Sequence, residues 1–456
     1  MTLRGRILKL HPAILILASF LLVILAGTAL LMLPWATAGG GIRWIDALFT
    51  ATSAVCVTGL VVVDTGGFFT VFGQLTILVL IQVGGLGLMT ISVALFRWVG
   101  LGVSFRHRLI MQDIFAHTPR KDIFTLVQHT IVFTLAAEAV GAVLLAASWH
   151  GMMPWPRAIY TAVFHSVSAF CNAGFSLFAD NLMGWRGDIA VNLTICALIV
   201  LGGIGFPVIY ELKGHLAHPW RWNRLSIHAR TVLTTTLALI AAGALMFALL
   251  EPRGLYDAEG SSAARFLVPL FQSITCRTAG FNTVDIGALQ DATLAVMILL
   301  MFFGASPGSC GGGVKTTTLA VIIALTISRI RNRKRVLLFH KSVPEDAVNR
   351  SIALLLVSVG LIALVLFMLL AGRALSGGGA GRPAPGFLHC LFETVSAFGT
   401  VGLSMNTTPL LGTWGKSWIV LMMIIGRVGV LTFAYVITGA AAANGYEYAE
   451  ENLMIG

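Results

Sequence analysis

Apolar positions along this chain fall into alternating runs of two lengths. Long uncharged runs, the first at 13–33, match what a helix needs to cross the hydrocarbon of a bilayer. A shorter run of roughly 13 residues follows each and leads into a glycine-centred segment; it is too short to cross and must return to the face it entered from. A further long run completes the unit.

The pattern predicts four tandem repeats, each an outer helix, a short pore helix, a filter segment and an inner helix. In the first these lie at 13–33, 43–55, 56–61 and 70–96, and in the second at 123–148, 156–170, 171–176 and 188–212. The third reads 229–250, 262–276, 277–282 and 292–328, and the fourth 347–371, 386–398, 399–404 and 414–442. Repeat boundaries follow at 1–100, 101–218, 219–340 and 341–446, with a tail at 447–456. The fold class expected is an all-α membrane protein of four helix–pore-loop–helix repeats, with eight spanning helices and four re-entrant loops around one central ion pore.

Aligned on one glycine, the filters read SAVCVTGL at 53–60, SAFCNAGF at 168–175, ITCRTAGF at 274–281 and SAFGTVGL at 396–403. The anchors Gly59, Gly174, Gly280 and Gly402 are separated by 115, 106 and 122 residues. Glycine adopts extended or left-handed geometry at least steric cost. Four such loops around one axis would form rings of carbonyl oxygens that replace the water shell of a potassium ion. Irregular backbone at membrane depth is tolerated only where protein or an aqueous path surrounds it.

Composition excludes a soluble domain: 57% of residues are apolar and 11% charged, with a mean hydropathy of +0.89. The first run is too long for the core of a signal peptide and reads as the first spanning helix. A net charge of +11 raises the question of nucleic acid, and its placement answers it. With the N-terminus cytoplasmic, 19 lysines and arginines fall inside and 8 outside, as the positive-inside rule requires, and both termini are cytoplasmic. The densest link, RIRNRKRVLLFHKSVPEDAVNR at 329–350, reads first as a topological anchor and second as a docking surface for anionic lipid or a regulator. Arg277, Lys315 and Arg427 remain at membrane depth.

The inner helices share a second glycine motif: QVGGLGLMT at 82–90, VLGGIGFPV at 200–208, FFGASPGSCGGGVKTTT at 302–318 and IIGRVGVLT at 424–432. Three copies require only a kink or close packing. In the third, Gly304, Pro307, Gly308, Gly311, Gly312 and Gly313 break the helix, since proline removes a donor and each glycine costs about 1 kcal/mol relative to alanine. The break at 304–318 would hang beneath the filter as a gate, with Lys315 near its cytoplasmic edge. Arg427 replaces a glycine of the other copies, and its expected partners are the carbonyls of that break. A nucleotide-binding phosphate loop is excluded at 308–316, because Val314 separates the last glycine from the lysine and no parallel strand precedes it.

Glu138 is the one carboxylate deep in a span; it either pairs with a polar neighbour or belongs to a sodium site. Outer-loop acids, among them Asp46, Asp64, Asp180, Asp188, Glu251, Asp257, Glu259, Asp285 and Glu393, would concentrate cations at a mouth. Six cysteines form no CxxC pair and read as small apolar residues. An intramembrane hydrolase would need a serine–histidine or paired-aspartate site. His165 beside Ser168 is the only suggestion of one, and it reads as a packing or water-facing histidine.

On the four filters and the broken third inner helix, the chain resembles the superfamily of Trk, Ktr and HKT potassium transporters over essentially its whole length. Its direct start, its length and the tail EYAEENLMIG are most similar to the Ktr membrane subunit. The resemblance implies filter carbonyls at Val57, Thr58 and Gly59, at Asn172, Ala173 and Gly174, at Thr278, Ala279 and Gly280, and at Thr400, Val401 and Gly402. It maps the family's intramembrane gate onto 304–318 and its inner-helix arginine onto Arg427. Sodium-selective members carry serine in the first filter, so Gly59 favours potassium. The resemblance further implies a bacterial inner-membrane homodimer with one pore per protomer, served by a cytoplasmic RCK-type ring. That ring would bind nucleotide through a Rossmann-like domain, so no nucleotide site or covalent cofactor is expected in this chain. Potassium uptake, with sodium as a candidate activator, is the function implied; the alternative is a less selective sodium or ammonium conductor, and no enzyme is expected.

Overall fold

The computed structural model describes residues 12–87, 123–215, 224–251, 263–375, 386–430 and 432–433. The N-terminal basic residues, the link at 97–121, Asp257, Glu259, the far ends of the first and fourth inner helices and the tail at 447–456 lie outside the described residues.

The fold is mostly helical, and its elements come in four successive groups. The first holds α1 (Pro12–Leu31), α2 (Trp44–Val55) and α3 (Val71–Leu86). The second holds α4 (Ile123–Trp149), α5 (Trp155–Phe170), α6 (Ile189–Ile204) and α7 (Phe206–His215). The third holds α8 (Ile227–Leu250), α9 (Ala264–Thr275), α10 (Asp291–Phe302) and α11 (Thr316–Ile330). A small antiparallel hairpin, β1 (Leu337–Leu338) and β2 (Lys341–Ser342), leads to the fourth group: α12 (Glu345–Leu375), α13 (Phe387–Gly399) and α14 (Thr413–Val428).

Each long helix packs on the short one that follows it, α1 on α2, α4 on α5, α8 on α9 and α12 on α13. The third helix of each group then packs on the short helix of the next: α3 on α5, α6 on α9, α10 on α13, and α14 back on α2. The chain thus closes on itself, its last described helix beside its second. Apolar side chains on the outside of the long helices stay uncovered, including Leu22 and Leu25 on α1, Leu237 and Leu249 on α8, and Leu356 and Phe367 on α12, all above 60% exposed. An uncovered apolar face of this extent suits lipid rather than water.

Among the described residues three helices are long and apolar enough to cross a membrane: Val127–Trp149, Ile227–Leu250 and Glu345–Gly372. The first, second and fourth inner helices, for which the glycine motif required only a kink or close packing, are interrupted outright. Besides the break in the third, α3, α6 and α14 each end at a glycine with positive φ: Gly87 at 81°, Gly205 at 100° and Gly429 at 98°. Such a φ cannot continue an α-helix, and α6 and α7 meet at 98°. At Gly205 the turn is also forced by space, since a Cβ there would lie 2.5 Å from the Pro307 carbonyl oxygen.

Close approach explains the first glycine of the inner-helix motif. A Cβ on Gly84, Gly202 or Gly426 would strike the carbonyl oxygen of Val55, Phe170 or Phe398, each the fourth residue before a filter glycine. Small residues here let α3, α6 and α14 seat against the ends of α2, α5 and α13.

Candidate functional site

The four filter segments share one backbone conformation. Val57, Asn172, Thr278 and Thr400 hold φ of 55°, 59°, 73° and 49°, and two residues on Gly59, Gly174, Gly280 and Gly402 hold 91°, 69°, 77° and 95°. Residues other than glycine rarely adopt these values, yet all four repeats use the same pair of positions. Left-handed residues at alternate positions bring successive carbonyls to one side, whereas an ordinary strand points them to opposite sides.

The segments also meet. A Cβ built on Gly59 would fall against the Ala173 carbonyl, on Gly174 against that of Ala279, on Gly280 against that of Val401, and on Gly402 against that of Thr58. This cycle follows chain order and returns to its start. The filter residues are fully buried, and among the described residues no donor reaches the carbonyl oxygens of 57–59, 172–174, 278–280 or 400–402. Buried carbonyls without donors are uncommon in folded proteins. A set of them converging on one place can serve a desolvated cation.

Hydroxyl groups on the short helices hold the segments from below. Ser53 Oγ accepts from Gly59 N at 3.0 Å and Ser396 Oγ from Gly402 N at 3.1 Å. Ser168 Oγ donates to Phe175 O at 2.8 Å and Thr275 Oγ1 to Phe281 O at 2.6 Å. A second tier lies one helical turn earlier. His165 Nε2 is 2.9 Å from Ser176 Oγ, Gln272 Nε2 donates to Thr283 Oγ1 at 3.2 Å, and Ser404 Oγ donates to Glu393 Oε2 at 2.9 Å. The bracing role of these residues was not anticipated from the sequence, which read His165 as a packing or water-facing histidine and Glu393 as an outer-loop acid. Their signal is the serine that opens three of the aligned filter strings, matched one place later by Thr275 in the third. Ser168 is engaged with Phe175 and His165 with Ser176, so the two form no catalytic dyad.

The break in the third inner helix runs from the end of α10 to the start of α11, with Phe303 and Val314 bridged in parallel across its neck. Its backbone is stitched to the neighbouring repeats. Ser306 N donates to Gly203 O at 3.1 Å, Cys310 N to Gly202 O at 3.1 Å and Gly313 N to Gly426 O at 3.3 Å, while Phe206 N donates to Gly308 O at 2.9 Å. Gly308 and Gly313 hold φ of 70° and 68°. Gly312 N donates to Thr400 Oγ1 at 2.9 Å, so this segment touches the filter directly.

Arg427 reaches two carbonyls, Cys310 O on the broken segment through Nη1 and Gly84 O on α3 through Nη2. Lys315 Nζ turns back onto Gly311 O at 2.7 Å. Together they place two positively charged side chains against the carbonyls of Cys310, Gly311 and Gly312 in this segment. Gly304, Pro307 and Gly311 lie in the same segment, where a Cβ on Gly304 would come within 2.8 Å of Thr278 Cγ2.

Other candidates are dispersed. Arg277 is buried and donates from Nη2 to Thr236 Oγ1 at 3.2 Å, away from the other two membrane-depth cations. Glu138 accepts from Gln82 Nε2 at 3.3 Å and has Cys171 Sγ at 3.8 Å. The six cysteines are free and buried. Most described acids expected at an outer mouth are oriented by the fold rather than presented freely. Asp64, Asp188 and Asp285 accept from backbone N–H groups at helix starts. Asp180 accepts from Gly184 N at 3.2 Å and Glu251 from Gln290 N at 3.0 Å. Glu393 is buried behind the fourth filter.

Known proteins resemble this chain over nearly its full length. The profile of the TrkH family, described as cation transport proteins, matches residues 9–441. The Ktr system potassium uptake protein B of Bacillus subtilis is 38% identical over 432 residues, covering 94% of this chain and 93% of that protein. Its counterpart in Vibrio alginolyticus is 39% identical over 426 residues, covering 92% and 90%. The potassium/sodium uptake protein NtpJ of Enterococcus hirae is 34% identical over 451 residues, covering 98% of each. Among solved structures, the potassium transporter TrkH from Vibrio parahaemolyticus superposes with a TM-score of 0.69 at 19% identity, covering 94% of this chain and 86% of that one. These relatives are transporters and not enzymes, and this chain is a member of the TrkH family of membrane cation transport proteins.

Proposed function

We propose that the chain carries potassium into the cell, down the membrane potential, through a pore enclosed by four helix–pore-loop–helix repeats. The observation that carries this reading is the cycle of Gly59, Gly174, Gly280 and Gly402, each against the carbonyl preceding the next glycine, with no donor to those carbonyls among the described residues. Potassium loses its water in such a ring at low cost because the oxygens are already oriented. The ion is the substrate, held by Val57, Thr58, Gly59 and their counterparts in the other repeats. The names of the Bacillus and Vibrio relatives support potassium as that substrate.

The segment at 304–318 is the gate, and Arg427 is its latch. The stitching of this segment to α6, α7 and α14 supports a closed position that must be broken for ions to pass. Control would come from a cytoplasmic RCK-type ring, since the chain carries no nucleotide-binding motif. Arg329 at the end of α11 and Lys334 and Arg335 in the link to the hairpin line one cavity, with Glu345 at the start of α12, whose excess of positive charge suits an acidic partner. We further assign a homodimer in the bacterial inner membrane, eight spanning segments, and both termini in the cytoplasm, from the distribution of lysine and arginine.

Sodium enters as an activator or a second substrate, a reading favoured by the potassium/sodium name of the Enterococcus relative. The test is flux into vesicles holding the purified full chain, with potassium, sodium or ammonium outside, with and without the cytoplasmic ring. Potassium flux well above the other two supports the proposal. Equal flux of all three would favour the less selective conductor.

A further inference from the structure

Three of the four repeats tie the chain just beyond the filter to the pore helix behind it, through side chains 11 residues apart: His165 to Ser176, Gln272 to Thr283 and Glu393 to Ser404. We propose that these pairs are positioning elements for ion choice, and that Glu393 is a specificity-determining residue acting through Ser404 and Thr408. The inference rests on the filter reading above.

The regularity is structural. The third repeat is shifted by one residue against the others, with Thr275 standing where the alignment puts Ile274, and its tie shifts with it, so the spacing of 11 is preserved. The pore-helix members are buried, His165 and Glu393 at 0% exposure and Gln272 at 1%; of their partners Thr283 and Ser176 are buried and Ser404 is partly exposed. In a water-free site a side-chain bond holds its geometry more firmly than at a surface.

Glu393 is the strongest of the three. Its carboxylate accepts from Ser404 Oγ at 2.9 and 3.2 Å and from Thr408 Oγ1. No lysine or arginine pairs with it among the described residues. Ser404 in turn accepts from Thr407 N at 3.3 Å, so one carboxyl group organises the whole segment 404–408. The fourth filter is thereby held at both ends, by Ser396 below and Glu393 above.

The first repeat is different. Its equivalent residues are Thr50, which donates to Asp46 O at 2.8 Å, and Val61, an apolar residue 37% exposed. Among the described residues no such tie is present there, and that filter is held at its base by Ser53. A carbonyl ring discriminates between ions of different radius only if it resists relaxing onto the smaller one. Three repeats supply that resistance through these ties and the first does not.

The test measures potassium and sodium flux through the full chain in vesicles for Ser404→Ala, Glu393→Ala, the double variant and Glu393→Gln, with Gly59→Ser as reference. Ser404→Ala and Glu393→Ala are each expected to lower the potassium-over-sodium preference on the order of tenfold, the factor that about 1.4 kcal/mol represents. The double variant is expected to match Glu393→Ala, which loses the Thr408 contact as well as the Ser404 tie, and to fall short of the sum of the two single effects, because both remove the Ser404 tie. Glu393→Gln keeps an acceptor for Ser404 and should retain most of the preference. Ser404→Ala removes a single oxygen and keeps the test decisive if Glu393→Ala fails to fold. Unchanged preference in Ser404→Ala, or independent addition of the two effects, would overturn the proposal while a shift in Gly59→Ser left the filter reading standing. No shift in any variant, Gly59→Ser included, would remove the filter reading itself.

Discussion

Lys416 Nζ lies 2.6 Å from Asp46 Oδ1, joining residues 370 positions apart at the seam where the last repeat meets the first. Both side chains are nearly covered, at 3% and 9% exposure, and Arg43 Nε approaches the other oxygen of Asp46 at 2.8 Å. The pair fastens the start of α14 to the start of α2.

Breaking a buried pair leaves one charge uncompensated and costs about 3–5 kcal/mol. Lys416→Ala is therefore expected to lower the melting temperature of the purified protein clearly. Arg43 remains beside Asp46 and moderates the loss. Replacing both members, as Asp46→Leu with Lys416→Met, should recover much of it. An unchanged melting profile in Lys416→Ala would show that the seam is held by apolar packing alone.

Gly59→Ser places a side chain at φ of 91°, against the Ala173 carbonyl. The ring must yield locally, and the expected outcome is a potassium-over-sodium preference reduced roughly tenfold, equivalent to about 1.4 kcal/mol. Competition between rubidium and sodium for uptake by a potassium-requiring host measures it.

Arg427→Ala removes both carbonyl contacts of the guanidinium, one on the broken segment and one on α3. Charge-assisted bonds of this kind contribute about 1.5–3 kcal/mol each, so the closed arrangement should lose its advantage and basal flux should rise roughly tenfold or more. Arg427→Lys can keep one contact and should fall between. Flux equal to the parent protein in both variants would leave Arg427 a structural cross-link.

Gly312, like Gly304 and Gly311, stands against a filter side chain. From the sequence, a bulkier residue there should alter rate without altering ion preference. The structure brings Gly312 N to Thr400 Oγ1 at 2.9 Å, and a Cβ on Gly312 would lie 2.5 Å from the same oxygen. Gly312→Val is thus expected to disturb the fourth filter and change preference and rate together. Deleting 311–313 avoids the crowding and removes only the Gly312 N–Thr400 Oγ1 bond, so it should change rate strongly and preference less than Gly312→Val does. Paired flux measurements of the two variants distinguish the effects.

The membrane class, the four recurring glycine-centred segments and the place of the broken helix were all legible in the sequence. Each follows from short-range chemistry: the length of an apolar run, the freedom of glycine, the missing donor of proline. Arg427 was legible for the same reason, as a charge where an apolar span admits none without a partner. The sequence did not reveal that α3, α6 and α14 would each stop at a glycine, because Gly87, Gly205 and Gly429 read equally well as packing residues within a continuous helix. Only tertiary structure decided that Arg427 also holds Gly84, that Asp46 belongs to Lys416, and that Glu393 faces Ser404 instead of the outside. Those pairings depend on which segments become neighbours when the four groups close into a cycle, and a side chain's partner across that cycle leaves no local trace in the chain.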